Sequence, residues 1–175
     1  MLDDIILSAK TNDNDFYCIL MLLLLTGLRP VDLLGIKAGD INFREKKIFK
    51  RIAKTDKEMN IPMSQSLYEF ISTKMEYVFS LDCDQLIFPG YSVTRLGKKF
   101  RRLKSKLGIN EKFVYTLKTF RKTFATHYAK GLDIQDVAYL LGHDKISTTK
   151  DLYADTIVEN VRNKMDKFDD WFKNK

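Results

Sequence analysis

The sequence predicts an α+β domain that is mainly helical, with one small three-stranded antiparallel sheet. Two observations carry this reading. Apolar residues recur at helical spacing over most of the chain, while a short stretch between Ile41 and Pro62 alternates apolar and polar residues instead. No internal repeat, low-complexity tract or linker interrupts the pattern, so residues 1–175 read as one unit.

Residues 4–11 and 13–25 are expected to form helices, the second almost wholly apolar and so buried on most sides, with Gly27 ending it. Pro30 suits the first position of a further helix reaching about Ile36, and Asp32 in its first turn favours the positive end of the helix dipole. Ile41 to Phe43, Lys47 to Ala53 and Glu58 to Pro62 then read as strands, with Thr55-Asp56 as the turn between the last two. From Ser64 the spacing of Leu67, Phe70, Ile71, Met75 and Val78 is helical, and Val93 to Leu107 repeats it with many basic residues. Thr116 is a candidate N-cap for a helix that turns Leu117, Phe120 and Phe124 inward. Asp133 caps another that runs to Leu141 and stops at Gly142. A short helix beginning near Ser147 and ending near Tyr153, then a tail helix at about 157–172, complete the expectation.

Composition narrows the function. With 175 residues, 45% of them apolar, the chain can fill a real core. Thirty Lys and Arg against 23 Asp and Glu give a net charge of +7 and a pI near 9.3, which favours a polyanionic partner. The longest apolar run, Phe16 to Leu25, is far shorter than the ~20 residues a bilayer requires, so no membrane association is expected. Met1-Leu2 leads into Asp3-Asp4 rather than a basic leader, which points to a cytoplasm-like compartment. Cys18 and Cys83 form neither a metal spacing nor a disulfide framework, and His127 and His143 lack ligand-like neighbours. Neither a metal nor a cofactor is expected.

Three segments hold the candidate chemistry. In Thr26-Gly27-Leu28-Arg29-Pro30, Arg29 stands beside a helix start, either as a forked phosphate donor or as an ordinary exposed arginine. Lys118 and Arg121 are three residues apart and share a helix face, either as a phosphate clamp or as a solvated basic surface. Leu141-Gly142-His143 places an imidazole after a helix stop, where it suits the helix dipole, and Tyr153 follows ten positions later.

Taken in order, Thr-Gly-Leu-Arg, a hairpin lysine, an arginine before Thr-Phe-Ala-Thr, Leu-Gly-His and a tyrosine resemble the tyrosine recombinase, or lambda-integrase, family over roughly residues 16–157. The lysine at Lys118 is similar to that of integrases of archaeal viruses. The resemblance implies the family's catalytic-domain fold, clasping one face of double-stranded DNA and cutting without metal or nucleotide. It makes Arg29 and Arg121 donors to the non-bridging oxygens of the scissile phosphate, where charge grows in the transition state. It makes Lys54 in the hairpin turn the proton donor to the leaving 5′ oxygen, although Lys57 lies only three residues on. His143 would hydrogen-bond the phosphate or manage the nucleophile's proton, and Tyr153 would be the nucleophile. The family usually carries histidine where this chain has Lys118. A lysine near its ordinary pKa keeps the attraction to phosphate but is a poor base, so Lys118 is expected to bind rather than to accept a proton.

The resemblance further implies an N-terminal DNA-clamping domain that is absent from these 175 residues. It also implies a homo-oligomer, a tetramer on DNA, joined through the tail. The apolar tail residues Ile157, Val161, Met165, Phe168, Trp171 and Phe172 are expected to bury either on their own domain or on a neighbour. The alternatives are a type IB topoisomerase with the same chemistry and a basic DNA-binding domain with none.

Overall fold

The computed structural model describes residues 2–53, 57–109, 115–130, 132–142, 161–166 and 169. Helices α1 (Leu2–Asn12), α2 (Asn14–Thr26) and α3 (Pro30–Leu34) lead into strands β1 (Ile41–Asn42), β2 (Lys47–Ile52) and β3 (Lys57–Pro62). Helices α4 (Gln65–Lys74), α5 (Val93–Lys106), α6 (Leu117–Tyr128) and α7 (Ile134–Leu140) follow. Both the mainly helical class and the three-stranded sheet agree with the sequence reading.

Helix α2 is the centre of the core. Every residue from Phe16 to Thr26 is buried, and α1, α4 and α6 pack around it. Burying a Leu or Phe side chain contributes ~1.5–3 kcal/mol, so this apolar run is the main reason the helices assemble as they do. Its start is fixed by Asp13, whose carboxylate accepts from the Phe16 N–H at 2.8 Å. Its end is fixed by Gly27, left-handed at φ 65°, whose N–H donates to the Leu23 carbonyl at 3.1 Å. A Cβ at Gly27 would lie 2.4 Å from Phe124 Cδ1, so the turn that leads to Arg29 requires glycine twice over.

The sheet has the order β1-β2-β3, both pairs antiparallel, with Ile48 opposite Ile61 and Ile52 opposite Lys57. Ile48, Ile52, Met59 and Ile61 turn to the core. Strand β1 stops one residue earlier than the alternation suggests, because Asn42 Oδ1 accepts from the Glu45 N–H at 2.9 Å and starts the turn. Helix α3 likewise ends at Leu34 rather than Ile36, as Gly35 and Ile36 donate to carbonyls three residues back. The helix predicted from Ser64 breaks at Met75, which leaves helical geometry at φ −131° while remaining fully buried. A 3-10 turn over Glu76–Ser80 then carries the apolar spacing on to Val78.

The described part of the tail packs on its own chain. Residues 161–166 are helical, with Val161 and Met165 buried. Polar contacts fasten this segment. Asp166 accepts from Gln65 N, Asp169 accepts from Ser66 N at 2.9 Å, and the Ser64 hydroxyl accepts from Leu67 N, so the tail supplies two of the three caps at the start of α4. Tyr128 donates to Asp169 at 2.7 Å, and Arg162 donates to the Glu45 and Lys46 carbonyls. Val161 and Met165 are thus buried against their own chain. Ile157, Phe168, Trp171 and Phe172 lie outside the described residues.

Candidate active site

Arg29 and Arg121, separated by 92 positions in sequence, line one cleft of about 760 Å3. The wall between α3, α5 and the start of α6 also carries Lys118, Arg101 and Lys104, while Val31, Phe100, Tyr115 and Leu117 give it an apolar floor. Such a cleft has room for a phosphodiester and its sugar, with cations at the edge.

The two arginines are held in different ways. Arg121 Nη1 donates to the Gly27 carbonyl at 2.8 Å, and Nη2 donates to the Leu141 carbonyl. This guanidinium therefore ties the turn before α3 to the end of α7, and neither of its anchors is another side chain. Burial, reinforced by the nearby Arg29 charge and opposed by Asp32, lowers its pKa to about 10. It stays charged at neutral pH, yet its surroundings favour an added anion.

Arg29 is the N-cap residue of α3 and its side chain is 26% exposed. Its Nη1 is buried, and no described residue hydrogen-bonds it; Asp32 Oδ2, at 3.8 Å, opposes its charge without a hydrogen bond. Asp32 is itself buried, at 1% exposure, and its other oxygen accepts from the Ala53 N–H at 2.8 Å. One carboxylate thus links the first arginine to the end of β2, the strand that leads to Lys54. By sequence Asp32 is only a favourable partner of the helix dipole; its contact to a residue 21 positions away arises from the fold.

Lys118 is exposed, one turn before Arg121 on the same face of α6. Thr116 is the N-cap residue of that helix as expected, and its N–H donates to Thr119 Oγ1 at 3.0 Å. Gly142 has φ 59°, so the predicted glycine stop after α7 is present. Lys54, His143 and Tyr153 lie outside the described residues, although Ala53 is bound to Asp32 and Leu141 to Arg121. Arg101 and Lys104 are additions that the sequence offered only as part of a basic helix.

The model of the phage integrase family matches residues 2–159. The chain belongs to that family. Among its relatives, the tyrosine recombinase XerD of Staphylococcus haemolyticus is 31% identical over 170 residues, covering 91% of this chain and 56% of the relative. The crystal structure of XerA recombinase superposes with a TM-score of 0.67 at 24% identity, over 94% of this chain and 59% of that one. The lambda integrase catalytic core gives 0.65 at 19% identity, over 83% of this chain and 90% of that one. The chain therefore spans little more than half the length of the curated relatives it matches, and has the fold of the family's catalytic core.

Proposed function

We propose that this chain is the catalytic domain of a site-specific recombinase, or integrase, that cleaves and rejoins double-stranded DNA through a 3′-phosphotyrosyl intermediate on Tyr153. The observation that carries this reading is the convergence of Arg29 and Arg121 on one cleft in a family member, with Arg121 fixed by two backbone carbonyls.

In this mechanism the Tyr153 oxygen attacks the phosphorus, the bond to the 5′ oxygen breaks, and Lys54 gives that oxygen its proton. Arg29 and Arg121 neutralise the charge that grows on the non-bridging oxygens, and being held in place beforehand they need no reorganisation as it develops. His143 hydrogen-bonds the phosphate or handles the phenol's proton, and Lys118 binds a phosphate without acting as a base. Attack by a 5′ hydroxyl on the phosphotyrosine reverses the steps and frees the phenol. One phosphodiester is exchanged for another, so the scheme needs neither a nucleotide nor a metal. Work on a tetramer of these chains around two duplexes, joined through tail residues outside the segment that packs on its own domain, completes the proposal.

A nicked suicide duplex, from which the cut fragment escapes, tests the reading. A covalent protein–DNA adduct that disappears in Tyr153→Phe is the expected result. Duplex binding without an adduct would leave a basic binding module, and an adduct accompanied, on intact plasmid, by supercoil relaxation without strand exchange between duplexes would leave a topoisomerase-like enzyme.

A further inference from the structure

Helix α5 presents cations on both sides of the stripe it buries through Leu96, Phe100 and Leu103. Arg101 and Lys104 face the cleft of the candidate active site. On the other side, between α1 and α5, lies a second groove of about 650 Å3 that no step of the chemistry uses. Arg95, Lys98, Lys99, Arg102 and Lys106 line it from α5, and Ser8 and Asn12 add polar groups from α1.

Two of those five cations are already engaged. Arg95 donates to the Gly90 carbonyl at 2.7 Å and lies over the Tyr91 ring, while Lys99 is paired with Asp13 and donates to the Tyr91 hydroxyl at 3.1 Å. The remaining three, Lys98, Arg102 and Lys106, make no hydrogen bond or ion pair with any described residue. They are spaced four residues apart, so they form one file along the helix at ~6 Å intervals. Like charges at this spacing destabilise an isolated helix, and only Lys106, in the last turn, gains from the helix dipole. An unneutralised file of this kind, with polar groups opposite, fits a ligand whose negative charges also recur along a line.

We propose that the α1/α5 groove is a second phosphate track, which binds the sugar-phosphate backbone of duplex DNA beyond the cleaved position and contributes affinity rather than catalysis. The proposal rests on the reading of the chain as a DNA strand-transferase, and it assigns α5 a double role. One side of the helix serves the reacting phosphate and the other holds a flanking stretch of the same duplex. Because the phosphates of each strand recur every ~3.4 Å of duplex axis, the three cations can each meet a different one.

The test compares the whole chain with the triple variant Lys98→Gln, Arg102→Gln, Lys106→Gln. A control triple removes the same charge at Lys37, Arg44 and Lys74, none of which lines either groove. Duplex affinity is measured over a range of salt, and adduct formation on the suicide duplex is followed in a single turnover at saturating DNA. Each lost phosphate contact lowers the slope of log affinity against log salt by ~0.9, so the groove variant should be shallower than wild type by about 2.7. A fourfold rise in salt would then weaken it about 40-fold less than wild type. Its saturated adduct rate should match wild type, and the control should keep the wild-type slope. A groove variant with the wild-type slope, or a control that loses as much, overturns the proposal. Loss of the wild-type adduct with the slope difference intact would instead sink the enzymatic reading and leave the groove standing.

Discussion

Arg121 and Lys118 sit one turn apart on the same face of α6, yet the fold treats them in opposite ways. Arg121 is partly buried, anchored to the carbonyls of Gly27 and Leu141, and held in a setting that favours an added anion. Lys118 is exposed on a flexible stem. On the proposed reading, the cation that would meet one phosphate at one angle is the one built into the framework, and the cation that would only attract DNA is the one left to solvent. The same division separates Arg29, paired with buried Asp32, from the open file on the outer side of α5.

The sharpest way to break the comparison is to replace the anchored cation with a mobile one. Arg121→Lys keeps the charge but cannot hold two carbonyls while presenting a fork, and its adduct rate on the suicide duplex should fall by about 10²–10³, the usual effect of losing one preorganised donor. A rate within threefold of wild type would show that anchoring is irrelevant. Next in size is Gly27→Ala, which places a Cβ against the buried Phe124 ring and forces a left-handed alanine. It should destabilise the fold by ~2–3 kcal/mol and lower the midpoint of thermal unfolding by about 5–10 °C. An unchanged midpoint would mean that the turn before Arg29 is free to rearrange.

A smaller and more selective effect is expected at Asp32. Asp32→Asn still offers an oxygen to the Ala53 N–H but removes the charge opposite Arg29. Adduct formation should slow about tenfold, the equivalent of ~1.4 kcal/mol, while thermal stability changes little. Equal losses in both would make Asp32 a packing residue only. The smallest effect belongs to Lys118→His, which should leave single-turnover cleavage within about threefold of wild type, because the role proposed for this position, phosphate binding, tolerates another donor. Complete loss of cleavage there would assign the lysine a task in the chemistry.

Much of this arrangement could be read in the sequence, and the parts that could not share a cause. Gly27, Arg29, Arg121 and Gly142 stand in local motifs whose residue types are dictated by a turn, a cap or a phosphate, and each is described where the sequence put it. The long apolar run of α2 announced its own burial. By contrast, the tie from Asp32 to Ala53, the seat of Arg121 on Leu141 and the capping of α4 by Asp166 and Asp169 join residues between 20 and 103 positions apart. No periodicity reports such contacts. The tail shows the same gap: Val161 and Met165 signalled burial, but the carboxylates that decide where the segment docks looked like ordinary surface charge. Lys54, His143 and Tyr153 take their roles from the family motif, since a turn lysine, an imidazole after a helix stop and one tyrosine among eight carry no such signal alone.

The central claim is that Arg29 and Arg121 act on the charge of one phosphate. It is tested most directly by comparing a suicide duplex carrying the ordinary scissile phosphodiester with one in which a neutral methylphosphonate replaces it. Removing the charge removes what the guanidiniums neutralise. Arg29→Gln and Arg121→Gln should therefore each lose about 10²–10³ in adduct rate on the phosphodiester and less than about tenfold on the methylphosphonate. The same large loss on both duplexes would contradict the account, because the arginines would then be supporting the fold rather than the reacting phosphate.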